Sequence, residues 1–281
     1  MAIEVDARAA GFEAKKLARI GEHLSERYVE PGKITGCQVL VSRHGIPAYF
    51  ESYGLMDRER NKPMQDDTLF RIYSMSKPIT SVALMMLWEE GRFQLSDPVH
   101  RYIPSWRNQV VWQEGEGSSM VTRRPKAPPT MQHILSHTAG LTYGGLLPGL
   151  ESPVDAAYQH MGVARGDGET LMEFADKLGR VPLLYEPGSK WCYSLATDVC
   201  GALVEIISGQ PFEQFLQERL FSPLGMRDTG FRVSDDQLDR FAACYVRGPD
   251  KQLLLEDDPE TSHYRHKRNF FSGGGGLVGT T

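Results

Sequence analysis

Apolar residues three and four apart mark the first element. Leu17, Ile20, Leu24 and Tyr28 share one face at helical spacing, which predicts a helix over 14–28 that Glu30-Pro31-Gly32 closes. The pattern then changes to two β-rich runs, 37–42 and 48–53. They flank Arg43-His44-Gly45-Ile46-Pro47 and predict a hairpin. After a charged loop, the extended apolar segment Phe70-Arg71-Ile72 opens into a helix that runs to about Glu90. Its expected buried positions are Ile79, Val82, Ala83, Met86 and Leu87. Apolar almost all round, it reads as a central helix, with Gly91 as its left-handed terminator.

From about residue 104 the pattern is mainly helical, after a long Gly/Ser/Pro/charge-rich loop over 113–129, a length that compact proteins usually reserve for function or disorder. Thr130 is the expected cap of a short helix over 131–136. Further helical patterns lie at 154–161, 169–179, 196–207 and 211–220, and a late hairpin is expected over 241–246 and 253–256. The Phe271–Thr281 stretch reads as a glycine turn leading to a helix cap at Thr280 or Thr281. With about four strands in view, the front hairpin lacks partners to bury its face, so a further segment is expected to complete the sheet. The fold class expected is α/β: an antiparallel sheet flanked by helices over 1–103 and 236–281, a mostly helical region over 104–235, and the active site between them.

Composition narrows the function classes. At 281 residues, 41% hydrophobic and 24% charged, the chain has enough apolar mass for a large core. A net charge of -5 leaves no domain-wide basic surface to displace phosphate counterions, so nucleic acid is not an expected partner. Cys37, Cys192, Cys200 and Cys244 lack both C-x-x-C spacing and a disulfide framework, which fits a reducing compartment. No run reaches the ~18–20 apolar residues that span a bilayer, and the N-terminal residues lack a signal-peptide core. A cytoplasmic protein that engages no membrane is the expectation.

Chemistry enters at Ser74-Met75-Ser76-Lys77. Residues three apart on a first helical turn share a face, with Cβ atoms about 5–6 Å apart. An amine there can take a hydroxyl proton, while the helix N-terminus favours negative charge on the oxygen. A capping serine before a surface lysine fits the same spacing. Tyr193, after the Glu186-Pro187-Gly188-Ser189 turn and at the entry to the 196–207 helix, projects its phenol from a loop–helix corner, whether into a cleft or into solvent. Ser136-His137 reads as a structural corner, since sequence neighbours rarely face each other. His263-Tyr264-Arg265-His266 reads as a solvated basic loop, Cys192 as a small apolar filler, and the four tryptophans as core and cleft wall. No G-x-S-x-G elbow is present.

Taken together, Ser74-x-x-Lys77 and Tyr193-Ser194-Leu195 resemble the serine hydrolases of the class C β-lactamase and penicillin-binding-protein group, most closely the family VIII carboxylesterases. The 36–54 hairpin, Ile134-Leu135-Ser136-His137-Thr138-Ala139-Gly140-Leu141, Pro187-Gly188-Ser189-Lys190-Trp191-Cys192, Leu220-Phe221-Ser222-Pro223-Leu224-Gly225-Met226 and Gly273-Gly274-Gly275-Gly276-Leu277 match the same group in the same order. The resemblance implies a β-lactamase-like fold and ester hydrolysis with Ser74 as nucleophile, Lys77 as base and Tyr193 as proton shuttle, with no cofactor and no metal. It also implies a pocket shaped by Tyr73, Trp112, Trp191 and Leu195.

Two departures qualify what the resemblance implies. The group's second oxyanion donor lies on a late K-T-G, H-x-G or W-x-G-like strand, and no such motif follows Tyr193. The Ser74 N–H is then one donor, and the other is expected from a complementing C-terminal segment or second chain. Leu195 stands where β-lactamases carry the asparagine that binds the antibiotic's amide, which favours an esterase over a β-lactamase. A β-lactamase or D-amino-acid peptidase, an acyltransferase and a non-catalytic binding relative are the alternatives.

Overall fold

The computed structural model describes residues 3–164, 166 and 168–281. In chain order, the elements used below are α1 (Ala14–Leu24), β1 (Gly36–Arg43), β2 (Ile46–Asp57), β3 (Lys62–Pro63), β4 (Phe70–Arg71), α2 (Ser76–Glu89), β5 (Val111–Glu114) and β6 (Val121–Arg123). There follow α3 (Met131–Leu135), α4 (Asp155–His160), α5 (Leu171–Leu178), α6 (Ala196–Ser208), α7 (Phe212–Leu216), β7 (Cys244–Arg247), β8 (Leu253–Asp257) and β9 (Val278–Gly279). They divide between two compact units. One comprises Met1–Arg71, Asp228–Lys267 and Val278–Thr281; the other comprises Ile72–Arg227 and Arg268–Leu277.

The first unit holds the antiparallel sheet β1-β2-β3 and the pairs β4-β9 and β7-β8. The front hairpin turns on His44 and Gly45, both at positive φ (54° and 76°), the left-handed pair that matches the twist of the flanking strands. Its register places Leu40 opposite Phe50 and Val39 opposite Glu51. Just before the expected cap at Thr280 or Thr281, the chain forms a short strand that the sequence did not predict: β9 pairs antiparallel with β4, Phe70 opposite Gly279 and Arg71 opposite Val278. Helix α1 is shorter than its apolar pattern, because Ser25–Val29 widens into a π turn.

Arg71 anchors this unit. Its buried guanidinium donates to Asp257 Oδ2 (2.6 Å) and to the Ala242 carbonyl (2.5 Å), and lies 4.0 Å from the centroid of the Phe241 ring. Removing one member of a buried ion pair leaves the other charge uncompensated. Arg71→Ala is therefore expected to cost about 3–5 kcal/mol. Thermal melting checks this, and a variant that melts with the parent contradicts it.

The second unit is built on α6, ten of whose thirteen residues are buried. A helix buried on nearly every side forms the centre of a domain, and α2, α3, α5 and α7 each pack against α6. This is why α2 groups with the middle helices and not with the front strands. Within α2, Ala83, Leu84 and Leu87 are buried, while Val82 is 50% exposed, contrary to the expectation for Val82. The sequence missed a small hairpin, β5-β6, that overlaps the first part of the 113–129 loop and puts Trp112 opposite Thr122. Thr130 caps α3 as expected, in a reciprocal capping box with His133. Among the described residues, no helix is long and apolar enough to cross a membrane.

Candidate active site

Ser74 lies in a single 3₁₀ turn, Tyr73–Met75, that runs directly into α2. Pro78 stands in the first turn of α2, where a missing N–H costs no helical hydrogen bond. Tyr73, just before the serine, is held at φ 42°, a left-handed conformation that non-glycine residues rarely adopt and that often accompanies functional sites. One helical turn sets Lys77 against Ser74: Nζ donates to Oγ at 3.1 Å and to the carbonyl of Gly274 at 2.6 Å.

Tyr193 reaches the same point from the other side of the site. The turn before it contains Gly188 at φ 82°, and the Cys192 N–H donates to the His137 carbonyl (2.8 Å), which fixes the approach to α6. The Tyr193 hydroxyl then lies 2.7 Å from Ser74 Oγ, and Lys77 Nζ is 4.7 Å from the centroid of its ring. Burial pushes this phenol up. Hydrogen bonds from Lys77, Ser74 and Tyr143, with the Lys77 charge, outweigh burial and hold it below its ordinary value of 10.0. Ser74, Lys77, Tyr193, Tyr143 and Gly274 all belong to the second unit.

Sequence reasoning missed how much of the surroundings is aromatic and what His137 does. Tyr143 and His137 lie with ring centroids 5.1 and 5.3 Å from that of Tyr193, and Trp191 stacks on it at 6.2 Å. His137 is more than a corner. Its Nδ1 is 3.1 Å from Ser194 Oγ and its Nε2 is 3.3 Å from Thr197 Oγ1, so it ties the loop after α3 to the start of α6. Its positive φ of 56° was the one local signal that the segment is constrained, and only the structure reveals it.

Burial first, and the Lys77 charge second, push the His137 imidazole down from 6.5 to about 4. The sign follows directly. Between these values the unfolded chain binds a proton that the folded chain refuses, so stability falls as pH drops from about 6.5 towards 4. His137→Gln is expected to flatten that slope. Urea midpoints at pH 7 and pH 5 check it, and an unchanged slope in the variant contradicts it.

The other expected pocket residues separate. Tyr73 is 50% exposed and Trp191 63% exposed, so both offer surface to a ligand. Trp112 is half-buried, with its indole N–H donating to the Gly115 carbonyl (2.8 Å). Leu195 is fully buried and cannot line a pocket. As the residue that caps α6, it turns into the helical core. Among the described residues, no group of three His, Cys, Asp or Glu side chains is placed to hold a metal ion.

A hydroxyl bridged by an amine and a phenol is an arrangement suited to nucleophilic acyl transfer. The Beta-lactamase family matches residues 22–281 of the chain. Esterase EstB of Burkholderia gladioli is 35% identical over an alignment of 264 residues that covers 92% of this chain and 62% of that protein. Among solved structures, EstCE1, described as a hydrolase with promiscuous acyltransferase activity, superposes with a TM-score of 0.79 at 33% identity over 95% of this chain and 70% of that one. A LovD6 variant of simvastatin synthase from Aspergillus terreus gives 0.74 at 27% identity, over 96% of this chain and 65% of its own. The chain thus spans a little over three-fifths of the esterase it matches. Its sequence, its fold and the Ser74-Lys77-Tyr193 cluster lead to one conclusion: the chain belongs to the Beta-lactamase family.

Proposed function

We propose that the protein is a serine carboxylesterase of the family VIII kind, hydrolysing small to medium acyl esters through an acyl-enzyme on Ser74. The observation that carries this reading is the position of Ser74 Oγ, 2.7 Å from the Tyr193 hydroxyl and 3.1 Å from Lys77 Nζ. Lys77 takes the Ser74 proton while Oγ bonds to the ester carbonyl carbon. The oxyanion forms against the Ser74 N–H at the start of the helix. Collapse breaks the carbon–alkoxide bond, and the leaving alcohol receives its proton through Tyr193. Water then reverses the sequence: its proton passes to the same pair and the carboxylic acid leaves, restoring the Ser74 hydroxyl. A complementing segment or second chain is the proposed source of the second oxyanion donor.

An acyltransferase is the second reading, favoured by one observation: EstCE1, similar to this chain, is described as a hydrolase with promiscuous acyltransferase activity. The two readings share every step up to the acyl-enzyme and differ only in whether water or an alcohol accepts the acyl group. A cytoplasmic setting belongs to the same proposal, supported by the thiols of Cys37, Cys192 and Cys200, which a reducing compartment maintains.

Assaying p-nitrophenyl butyrate with and without an added alcohol, and nitrocefin in parallel, tests the assignment. Nitrophenol release without an alcohol, with nitrocefin turned over far more slowly, is the expected result. Release that depends on the alcohol favours the transferase, rapid nitrocefin cleavage favours a β-lactamase, and no release from any substrate favours a binding relative.

A further inference from the structure

The Lys77 acceptor has a foundation of its own. Asp198, in the first turn of α6 and 1% exposed, receives two hydrogen bonds on one oxygen. Its Oδ1 accepts from the Gly274 N–H (2.9 Å) and from Ser272 Oγ (2.6 Å). Thr80 Oγ1 donates to the Gly273 carbonyl (2.8 Å), and Ser76 Oγ accepts from the Leu277 N–H (3.1 Å), so α2 holds the same run from its other flank. A Cβ on Gly274 would lie 2.8 Å from Asp198 Oδ2, an approach open only to glycine. Gly274 therefore gives its N–H to Asp198 and offers its carbonyl to Lys77 Nζ at 2.6 Å.

We infer that Asp198 is a positioning residue for Lys77, acting through the Gly274 peptide; the inference rests on the acyl-enzyme reading above. A neutral amine has two N–H donors and one lone pair. With one N–H committed to the Gly274 carbonyl, rotation about the Cε–Nζ bond is restricted and the lone pair can be kept on Ser74 Oγ. Once Lys77 has taken the proton, the ammonium's three donors meet the Gly274 carbonyl, Ser74 Oγ and Tyr193. A reacting side chain is held this closely only when the group that orients it is itself fixed. Without Asp198, the Gly274 N–H and the Ser272 hydroxyl lose their acceptor, and the run that carries the carbonyl is free to shift.

The test compares the parent, Asp198→Ala and Asp198→Asn by the rate of Ser74 labelling with a fluorophosphonate, by kcat and KM separately, and by melting. Asp198→Ala is expected to label about 10–100-fold more slowly, the size seen when a partner that orients a reacting group is removed, with kcat falling and KM nearly unchanged. Asp198→Asn, whose Oδ1 can accept the same two bonds, is expected to restore most of the labelling rate. Parent-like labelling by Asp198→Ala overturns the inference. If the alanine variant melts early, Asp198→Asn decides alone: near-parent labelling supports positioning, and a loss as large as that expected for alanine makes charge the cause and overturns it. A parent that never labels Ser74 contradicts the acyl-enzyme reading instead, so the two failures are distinct.

Discussion

Ser74→Ala is expected to lower ester turnover by about 10⁴–10⁶-fold while the protein melts within a few degrees of the parent, the scale set by removing a nucleophile that works with a base. The side chain is small and lies in a solvent-accessible turn, so its Oγ contributes little to packing. What it supplies is the atom that Lys77 and Tyr193 both address. Lys77→Ala should come close to the same loss, and the double variant should be no worse than either single one, because groups that act as a unit do not add. Additive losses in the double variant would mean that Ser74 and Lys77 act in separate steps. Steady-state kinetics on a p-nitrophenyl ester with purified variants is sufficient to decide.

Tyr193→Phe carries the second large effect. The ring is retained, with its stacking on Trp191 and its contacts with His137 and Tyr143, and only the hydroxyl 2.7 Å from Ser74 is lost. Positioned proton transfer is worth about 10²–10⁴-fold, so kcat is expected to fall by that amount with little change in KM. The pH profile adds a signature. Hydrogen bonds and the Lys77 charge hold the parent phenol below its ordinary value. Its ionisation should therefore contribute to the parent's rate profile as a property of the coupled cluster, and vanish in the phenylalanine variant. A phenylalanine variant with parent kcat and an unchanged profile would remove Tyr193 from the chemistry and leave it as a wall of the site.

The features legible in the sequence are those in which local chemistry and local geometry coincide. Spacing of three on a helix is enough to place Lys77 beside Ser74, and the Pro-Gly turn is enough to bring Tyr193 to the head of a helix. The hairpin at His44-Gly45 and the cap at Thr130 are equally local. Features that depend on distant partners were not legible. Val278-Gly279 contains nothing that names Phe70-Arg71 as its strand partner, more than two hundred residues earlier. Nothing in Gly274 or Asp198 states that one peptide would join them to Lys77. Leu195 occupies a motif position whose side chain faces a substrate in β-lactamases, yet here the residue is fully buried at the head of α6, a helix buried along most of its length. His137 looked like a corner for the same reason that its second role stayed hidden: its partners, Ser194 and Thr197, lie nearly sixty residues further along the chain.

The account's central claim is a covalent acyl-enzyme on Ser74, and trapping it is the most direct test. The parent protein is mixed with p-nitrophenyl butyrate, quenched in acid within the burst phase, digested, and mapped by mass spectrometry. The account predicts a single butyryl adduct on the peptide containing Ser74, absent from Ser74→Ala and retained longer in Tyr193→Phe, where proton transfer for deacylation is slowed. An adduct on any other residue, or ester turnover with no adduct on Ser74, would contradict it.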